Sequence, residues 1–194
     1  MIISFEGIDG CGKSTVAKAI YTWLTCMQKR VTLCREPEEP LRSWILNREN
    51  HLYPESIFLM FMAARAENIY KNIVPTLDAG GICIVDRYIH STYAYQIYGM
   101  GLPAPYVKEI NDYVVGSFKP DLTFYLACPA EIAYQRIRNK EPDRFESMNH
   151  NFFAKVAQGY ELIAQNDPKI QRIDATMSFQ GVLDHIKASI LKKL

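Results

Sequence analysis

Residues 7–15 read Gly-Ile-Asp-Gly-Cys-Gly-Lys-Ser-Thr, and this spelling suits one chemistry, the gripping of a polyphosphate. A triphosphate needs backbone N–H groups wrapped round its oxygens. Gly7, Gly10 and Gly12 allow the positive φ and close backbone approach that a Cβ would obstruct. Lys13 can reach the β and γ phosphates, and Ser14 supplies a hydroxyl to Mg²⁺. The helix that opens there aims its N-terminal N–H groups at the anion. The nucleotide-binding set is thus Gly7, Ile8, Asp9, Gly10, Cys11, Gly12, Lys13, Ser14 and Thr15. Inside it Cys11 reads either as a neutral spacer or as an oxidation-sensitive thiol.

The loop needs a strand before it and a helix after it, and the chain supplies both. Short apolar runs at 2–6, 31–35, 82–86, 121–126 and 170–173 read as strands. Helical patterns lie near 13–28, 54–78, 104–116, 130–138, 149–165 and 178–192. Such alternation predicts an α/β fold with a parallel sheet covered by helices on both faces. The runs at 82–85 and 122–126 barely alternate, as strands buried on both sides do. No linker or repeat divides the 194 residues, so one domain spanning 1–194 is expected.

Ligands in open parallel sheets collect at the carboxyl ends of the strands, and those ends carry charge here. The second strand runs into Arg35-Glu36-Pro37 and the third into Asp86-Arg87-Tyr88, while Arg136, Arg138, Lys140 and Arg144 follow the fourth. Asp86 is placed either to hold Mg²⁺ or its waters or to cap the helix after it. Arg35 and Arg87, at two strand ends facing one crevice, suit a second anionic substrate. Arg136, Arg138 and Lys140 read as catalytic cations or as a solvated basic helix face.

With these residues in place the chain resembles the thymidylate kinase family. The resemblance is carried by Phe5 to Thr15, by Arg35-Glu36-Pro37, by Phe61-Met62-Ala63-Ala64-Arg65-Ala66-Glu67, and by Asp86-Arg87-Tyr88 with Ser91, Ala94, Tyr95 and Gln96. It continues through Pro120-Asp121-Leu122-Thr123-Phe124, Asp143-Arg144-Phe145-Glu146 and Ile173-Asp174-Ala175. It implies a five-stranded parallel P-loop fold with a mobile lid about residues 136–146, and a cytoplasmic, homodimeric kinase moving the γ-phosphoryl of ATP onto dTMP. Carried over by position, Lys13 and Ser14 serve ATP and Mg²⁺, with Asp9 near the reacting phosphates. Arg35 and Arg87 would grip the dTMP phosphate, Phe61 would stack on thymine, and Arg65 would bond its edge. Tyr95 would press on the deoxyribose, with Ser91 and Gln96 beside it. Residue by residue, Phe61 also reads as core and Arg65 as a solvated helix charge.

The chain departs from the family pattern in places. Gly10 stands where some members carry a catalytic arginine, so a lid cation among Arg136, Arg138 and Lys140 must take over that charge. Glu38-Glu39-Pro40 shortens the loop after Pro37, and these two carboxylates repel an incoming phosphate unless they turn outward. Ala64 replaces a usual Asp, and the lid is about one residue short.

Composition narrows the alternatives. A formal net charge of +1 gives no electrostatic case for nucleic acid. The five cysteines are an odd number, scattered and mostly in apolar runs, as in a reducing compartment. The start of the chain has no charged leader and no apolar run approaches the length of a membrane span, so neither signal peptide nor membrane partner is expected. A GTPase-like switch finds two lures, but Asp78-Ala79-Gly80-Gly81 precedes its strand and Asn139-Lys140-Glu141 is followed by Pro142 where an Asp must sit. A deoxynucleoside kinase would need a carboxylate base, for which Glu36 is the candidate.

Overall fold

The computed structural model describes residues 1–137 and 143–194. Five parallel strands form its sheet: β1 (Ile2–Glu6), β2 (Val31–Arg35), β3 (Ile82–Asp86), β4 (Leu122–Ala127) and β5 (Ile170–Asp174), in the order β2-β3-β1-β4-β5. The three inner strands are buried at every residue, whereas β2 and β5 at the edges are partly exposed. That contrast explains the unbroken apolar runs of the inner strands. The buried hydroxyls Ser4 and Thr123 satisfy each other across β1 and β4 at 2.9 Å. Register aligns the strand ends, with Arg35 opposite Asp86 and Asp86 opposite Phe5.

Helix α1 (Lys13–Cys26) buries Val16, Ala17, Ile20 and Leu24, the spacing of one helical face. The helical stretch expected over 54–78 is instead α3 (Pro54–Asn68), a π-helical turn (Ile69–Ile73) and α4 (Val74–Asp78). Pro75 supplies the reason. It has no N–H to donate, and its ring clashes with the carbonyl four residues back in a regular helix, so a wider turn precedes it. Helices α6 (Ala104–Val115), α7 (Ala130–Ile137), α8 (His150–Asn166) and α9 (Phe179–Leu191) lie close to the expected spans. Asn149 and Ser178 cap α8 and α9 through Phe152 N and Gly181 N.

Two elements escaped the sequence pattern. Helix α2 (Leu41–Leu46) is too short to show a period; Glu39 stands at its start and accepts from Ser43 N and Oγ at 3.0 and 2.6 Å. Beyond β3, α5 (Ile89–Thr92) runs into a second π-helical stretch (Tyr93–Gly99), whose wider winding blurs the 3.6-residue rhythm. Helix α8 packs on that stretch through glycines. A Cβ on Gly159 would stand 2.7 Å from the Cγ and Cδ2 of Tyr98, and one on Gly99 2.8 Å from Phe152 and Val156.

This contact places Tyr95 and Gln96 beside the strand ends, so its closeness can be tested. Gly159→Ala drives a methyl into the root of the Tyr98 side chain, and overpacking of this kind costs about 1–3 kcal/mol. The urea midpoint of the variant is expected to fall accordingly; an unchanged midpoint would show that α8 and the π-helical stretch are not in tight contact.

Candidate functional site

At the end of β1 the chain bends into the phosphate loop. Gly10, at φ 84°, lies so near α7 that a Cβ would come within 2.2 Å of the Ala133 carbonyl oxygen. No side chain fits there. Lys13 is buried, its Nζ donating to Ile8 O at 2.8 Å. Ser14 Oγ donates to Asp86 Oδ2 at 2.5 Å, and Asp86 Oδ1 is buried with no partner among the described residues. Helix α5 starts three residues beyond Asp86 with Tyr88 in its N-cap position, so Asp86 is not its N-cap. Arg136, on the last turn of α7, extends Nη1 to Gly10 O at 3.5 Å and Nη2 to Ala175 O at 3.4 Å. It therefore bridges the phosphate loop and the end of β5. Arg138 and Lys140 lie outside the described residues.

Arg87 occupies the centre. It leaves β3 at φ 71°, an unusual conformation for a residue with a Cβ. Its Nη2 donates to Asp9 Oδ1 at 2.6 Å and to Tyr95 OH at 3.1 Å, and its Nη1 to Gly7 O at 3.0 Å. The guanidinium also lies over the Tyr95 ring, 4.9 Å from its centroid. Tyr95 OH donates to Asp9 Oδ2 at 2.7 Å. Burial pushes the Asp9 carboxyl up, but the charges of Arg87 and Lys13 and the bonds from Tyr95 and Arg87 hold it well below the usual carboxylate range. Beneath Arg87, Glu6 accepts from Tyr88 N at 3.0 Å and from Ser91 Oγ at 2.6 Å. Ser91 also meets the Tyr160 hydroxyl at 2.8 Å.

From Asp9 and Arg87 a pocket opens toward α2 and α3. Its cationic side is Arg35, Arg42 and Arg87. Burial and the neighbouring charges of Arg35 and Arg87 depress the Arg42 guanidinium, with Asp143 and Glu39 opposing. Arg87 is paired with Asp9 and Arg35 lies 3.8 Å from Asp86, yet three guanidiniums converging on one pocket still present enough donors to receive an anion. Glu38 and Glu39 do turn outward, Glu38 to Asn72 Nδ2 at 3.1 Å and Glu39 to Ser43, and neither lines the pocket.

The other side is flat and apolar. Phe61 is half-buried and lies 5.9 Å from Phe145, ring centre to ring centre; Phe145 meets Tyr95 edge-on at 5.5 Å. Gln96 and Arg65 complete this wall. Arg65 is no solvated charge. It donates Nε to Glu36 Oε2 at 2.8 Å, Nη1 to Thr92 Oγ1 at 2.9 Å and to Asn111 Oδ1, and Nη2 to Tyr88 O at 2.8 Å. Of its five N–H groups, one is left without a hydrogen-bond partner among the described residues, and Arg65 borders the pocket. The Oε1 of Glu36 takes Asn68 Nδ2 at 2.8 Å, so both Glu36 oxygens are engaged. Burial raises its carboxyl against the lowering by Arg65 and Asn68.

Phe61 and Arg65, one turn apart on α3, thus face the same pocket with Arg35, Arg87, Ser91, Tyr95 and Gln96. Sequence reasoning passed over a role for Arg42 and Tyr160, and it took Glu6, Asp143 and Phe145 only as marks of resemblance. Arg42 could have been suspected as a basic residue soon after Arg35. Tyr160 gave no signal, because an aromatic in an amphipathic helix reads as core.

A thymidylate kinase family model matches residues 5–186. The chain is 36% identical to the thymidylate kinase of Kosmotoga olearia, covering 98% of this chain and 95% of that one. It is equally 36% identical to the thymidylate kinase of Acinetobacter baylyi, over 98% and 100% of the two chains. The solved thymidylate kinase structure from Ehrlichia chaffeensis superposes with a TM-score of 0.80 at 30% identity over 98% of both chains.

The depressed Asp9 carboxyl has a stability signature. Its folded pKa lies below the ordinary value of 3.8, so its contribution is complete above that value and is lost as pH falls toward the folded pKa. Wild type should therefore exceed Asp9→Asn in urea midpoint by a constant margin from about pH 8 to about pH 5, narrowing below about pH 4. A margin that already narrows near neutrality would mean that Arg87 and Tyr95 do not hold Asp9 ionised.

Proposed function

We propose a division of labour among these residues on the premise that this chain belongs to the thymidylate kinase family, matched from residue 5 to residue 186. It transfers the γ-phosphoryl group of ATP to dTMP, yielding ADP and dTDP for dTTP synthesis. The observation that carries the assignment of roles is the Arg87–Asp9 contact at 2.6 Å, which sets an arginine-lined pocket directly against the phosphate loop. The roles follow from that contact.

On the donor side, the loop from Gly7 to Thr15 wraps the ATP phosphates, and Lys13 exchanges its bond to Ile8 O for phosphate oxygens. Ser14 and Asp86 would hold Mg²⁺: both are hard oxygen donors, and the orphaned Oδ1 of Asp86 is a buried acceptor in search of a cation. When bound, Mg²⁺ neutralises charge on the β and γ phosphates. On the acceptor side, Arg35, Arg42 and Arg87 receive the dTMP phosphate and align one of its oxygens with the γ phosphorus. That oxygen is already anionic and needs no base. A nucleoside hydroxyl would need one, and Glu36 is committed to Arg65 and Asn68. The base stacks on Phe61 beside Phe145, where the remaining Arg65 N–H and the Gln96 amide read its polar edge, while Tyr95 backs the sugar. Charge spreading over the transferring group is met by Arg136 and, outside the described residues, by Arg138 or Lys140. This reading keeps residues 1–194 in one domain with a lid about 136–146.

A homodimer and a cytoplasmic setting complete the proposal. Leu59 and Ala63, one turn apart on α3, are exposed, and Tyr70 just beyond is 72% exposed, which supports an apolar face for a second copy. All five cysteines are free thiols, which suits a reducing compartment. Among the described residues no helix is long and apolar enough to cross a membrane.

An acceptor panel in a coupled ADP-release assay tests the site. dTMP is expected to be the best substrate, dUMP weaker, and CMP, UMP and AMP poor. Arg65 offers only donors, so the cytosine amino group leaves an unpaired donor in place of a bond, worth about 1–3 kcal/mol or roughly ten- to a hundredfold. Arg35→Ala should weaken every monophosphate alike, since Arg35 is half exposed and touches no base-reading group. CMP or AMP matching dTMP would defeat these assignments. Position 10 offers a second test. Gly10→Arg places an arginine where other members of the family carry one, yet here its Cβ meets the Ala133 carbonyl and its φ is positive. We expect kcat to fall about tenfold or more through displacement of α7; an increase would show that α7 yields freely.

A further inference from the structure

Arg144 belongs by sequence to the basic group that follows β4, yet its side chain does not turn to the phosphate loop. Its Nε donates to Ile45 O at 2.8 Å, and its Nη2 to Asn47 O at 2.6 Å and to Asn50 O. Its backbone N–H donates to Leu46 O at 2.9 Å. One residue thus satisfies the carbonyls of Ile45, Leu46 and Asn47 in succession, the carbonyl end of α2. The last carbonyls of any helix lack partners within it, and α2 turns extended at Asn47 with ψ 115°. A helix of six residues does not hold itself together in water. Its first turn carries Arg42, one of the three cations of the anion pocket, and its last residue Leu46 lines that pocket as well.

We propose that Arg144 is a positioning residue that closes the carbonyl end of α2 and thereby sets Arg42 on the acceptor phosphate. The proposal rests on the acceptor-site assignment above. Glu39 anchors the amino end of α2 through Ser43, and Arg144 anchors the other. Asp143 and Phe145, flanking Arg144, both line the pocket, so the segment that clamps α2 also forms the pocket wall. The fork of an arginine is required because a lysine ammonium is a point charge that cannot span separate carbonyls in fixed directions.

Equilibrium binding of dTMP, thymidine and ATP to wild type, Arg144→Ala, Arg144→Lys, Arg42→Ala and the Arg42→Ala/Arg144→Ala double variant tests this. Arg144→Ala should weaken dTMP about tenfold or more while leaving thymidine, which has no phosphate, and ATP unchanged. The double variant should bind dTMP no more weakly than Arg42→Ala, because the two act through one group. Arg144→Lys should behave like the alanine variant, and it carries the test if the alanine protein fails to fold. Equal losses for dTMP and thymidine, additive losses in the double variant, rescue by lysine, or a loss confined to ATP would each overturn the proposal. If Arg42→Ala weakens dTMP and Arg144→Ala does not, the latch alone is wrong. If wild type fails to bind dTMP, or neither Arg42→Ala nor Arg35→Ala affects it, the acceptor-site assignment falls and the latch with it.

Discussion

A guanidinium and a carboxylate that neither of their own segments could bury alone meet where β1 and β3 end. Arg87 and Asp9 lie next to each other because β1 and β3 are hydrogen-bonded neighbours in a register that pairs Phe5 with Asp86. An unpaired charge at that depth is costly, so the pair binds the phosphate loop to the exit of β3. Tyr95 joins them from the π-helical stretch, and Ser91 and Glu6 support them from below. On the proposed assignment of roles, donor and acceptor sites are two sides of this one salt bridge. Phosphoryl transfer, which depends on holding two anions in line, requires that adjacency.

A second buried pair sets the opposite wall. Arg65 and Glu36, both almost fully buried, join α3 to the segment after β2, with Asn68, Thr92, Asn111 and the Tyr88 carbonyl completing their bonds. Breaking such a pair by removing one partner costs about 3–5 kcal/mol. Arg65 is therefore both part of the frame and part of the pocket lining, and the one N–H it keeps unbonded among the described residues is held in place by the frame. The aromatic rings continue the wall: Phe61, Phe145, Tyr95, Tyr160 and Tyr125 form a chain of ring contacts from the pocket mouth to the sheet. Rings in such contact leave little room to move, which fixes Phe61 and Phe145 at a tilt of 42° to each other.

The strands were legible in the sequence to within a residue, because inner parallel strands are continuous apolar runs and the turns after them are marked by glycine and charge. The helices were legible where their apolar face repeats every 3.6 residues, as in α1 and α8. They were not legible where that rhythm is absent. Six residues in α2 are too few to show a period, π-winding stretches it in Tyr93–Gly99, and Pro75 divides what read as one helix.

The site divides along the same line. A phosphate loop is local chemistry: consecutive residues bind one ligand with their own backbone, so residues 7–15 declared it by themselves, and the charged strand ends followed from the rule that parallel strands point one way. The chain's own residues also declared family resemblance. Which arginine meets which acid is not local. Arg87 with Asp9, Arg65 with Glu36, and Arg144 with the end of α2 join residues that lie far apart in the chain. A side chain's charge is written in the sequence, but its partner is chosen by burial, which forces each ionised group to find whichever opposite charge or carbonyl the packing brings within reach.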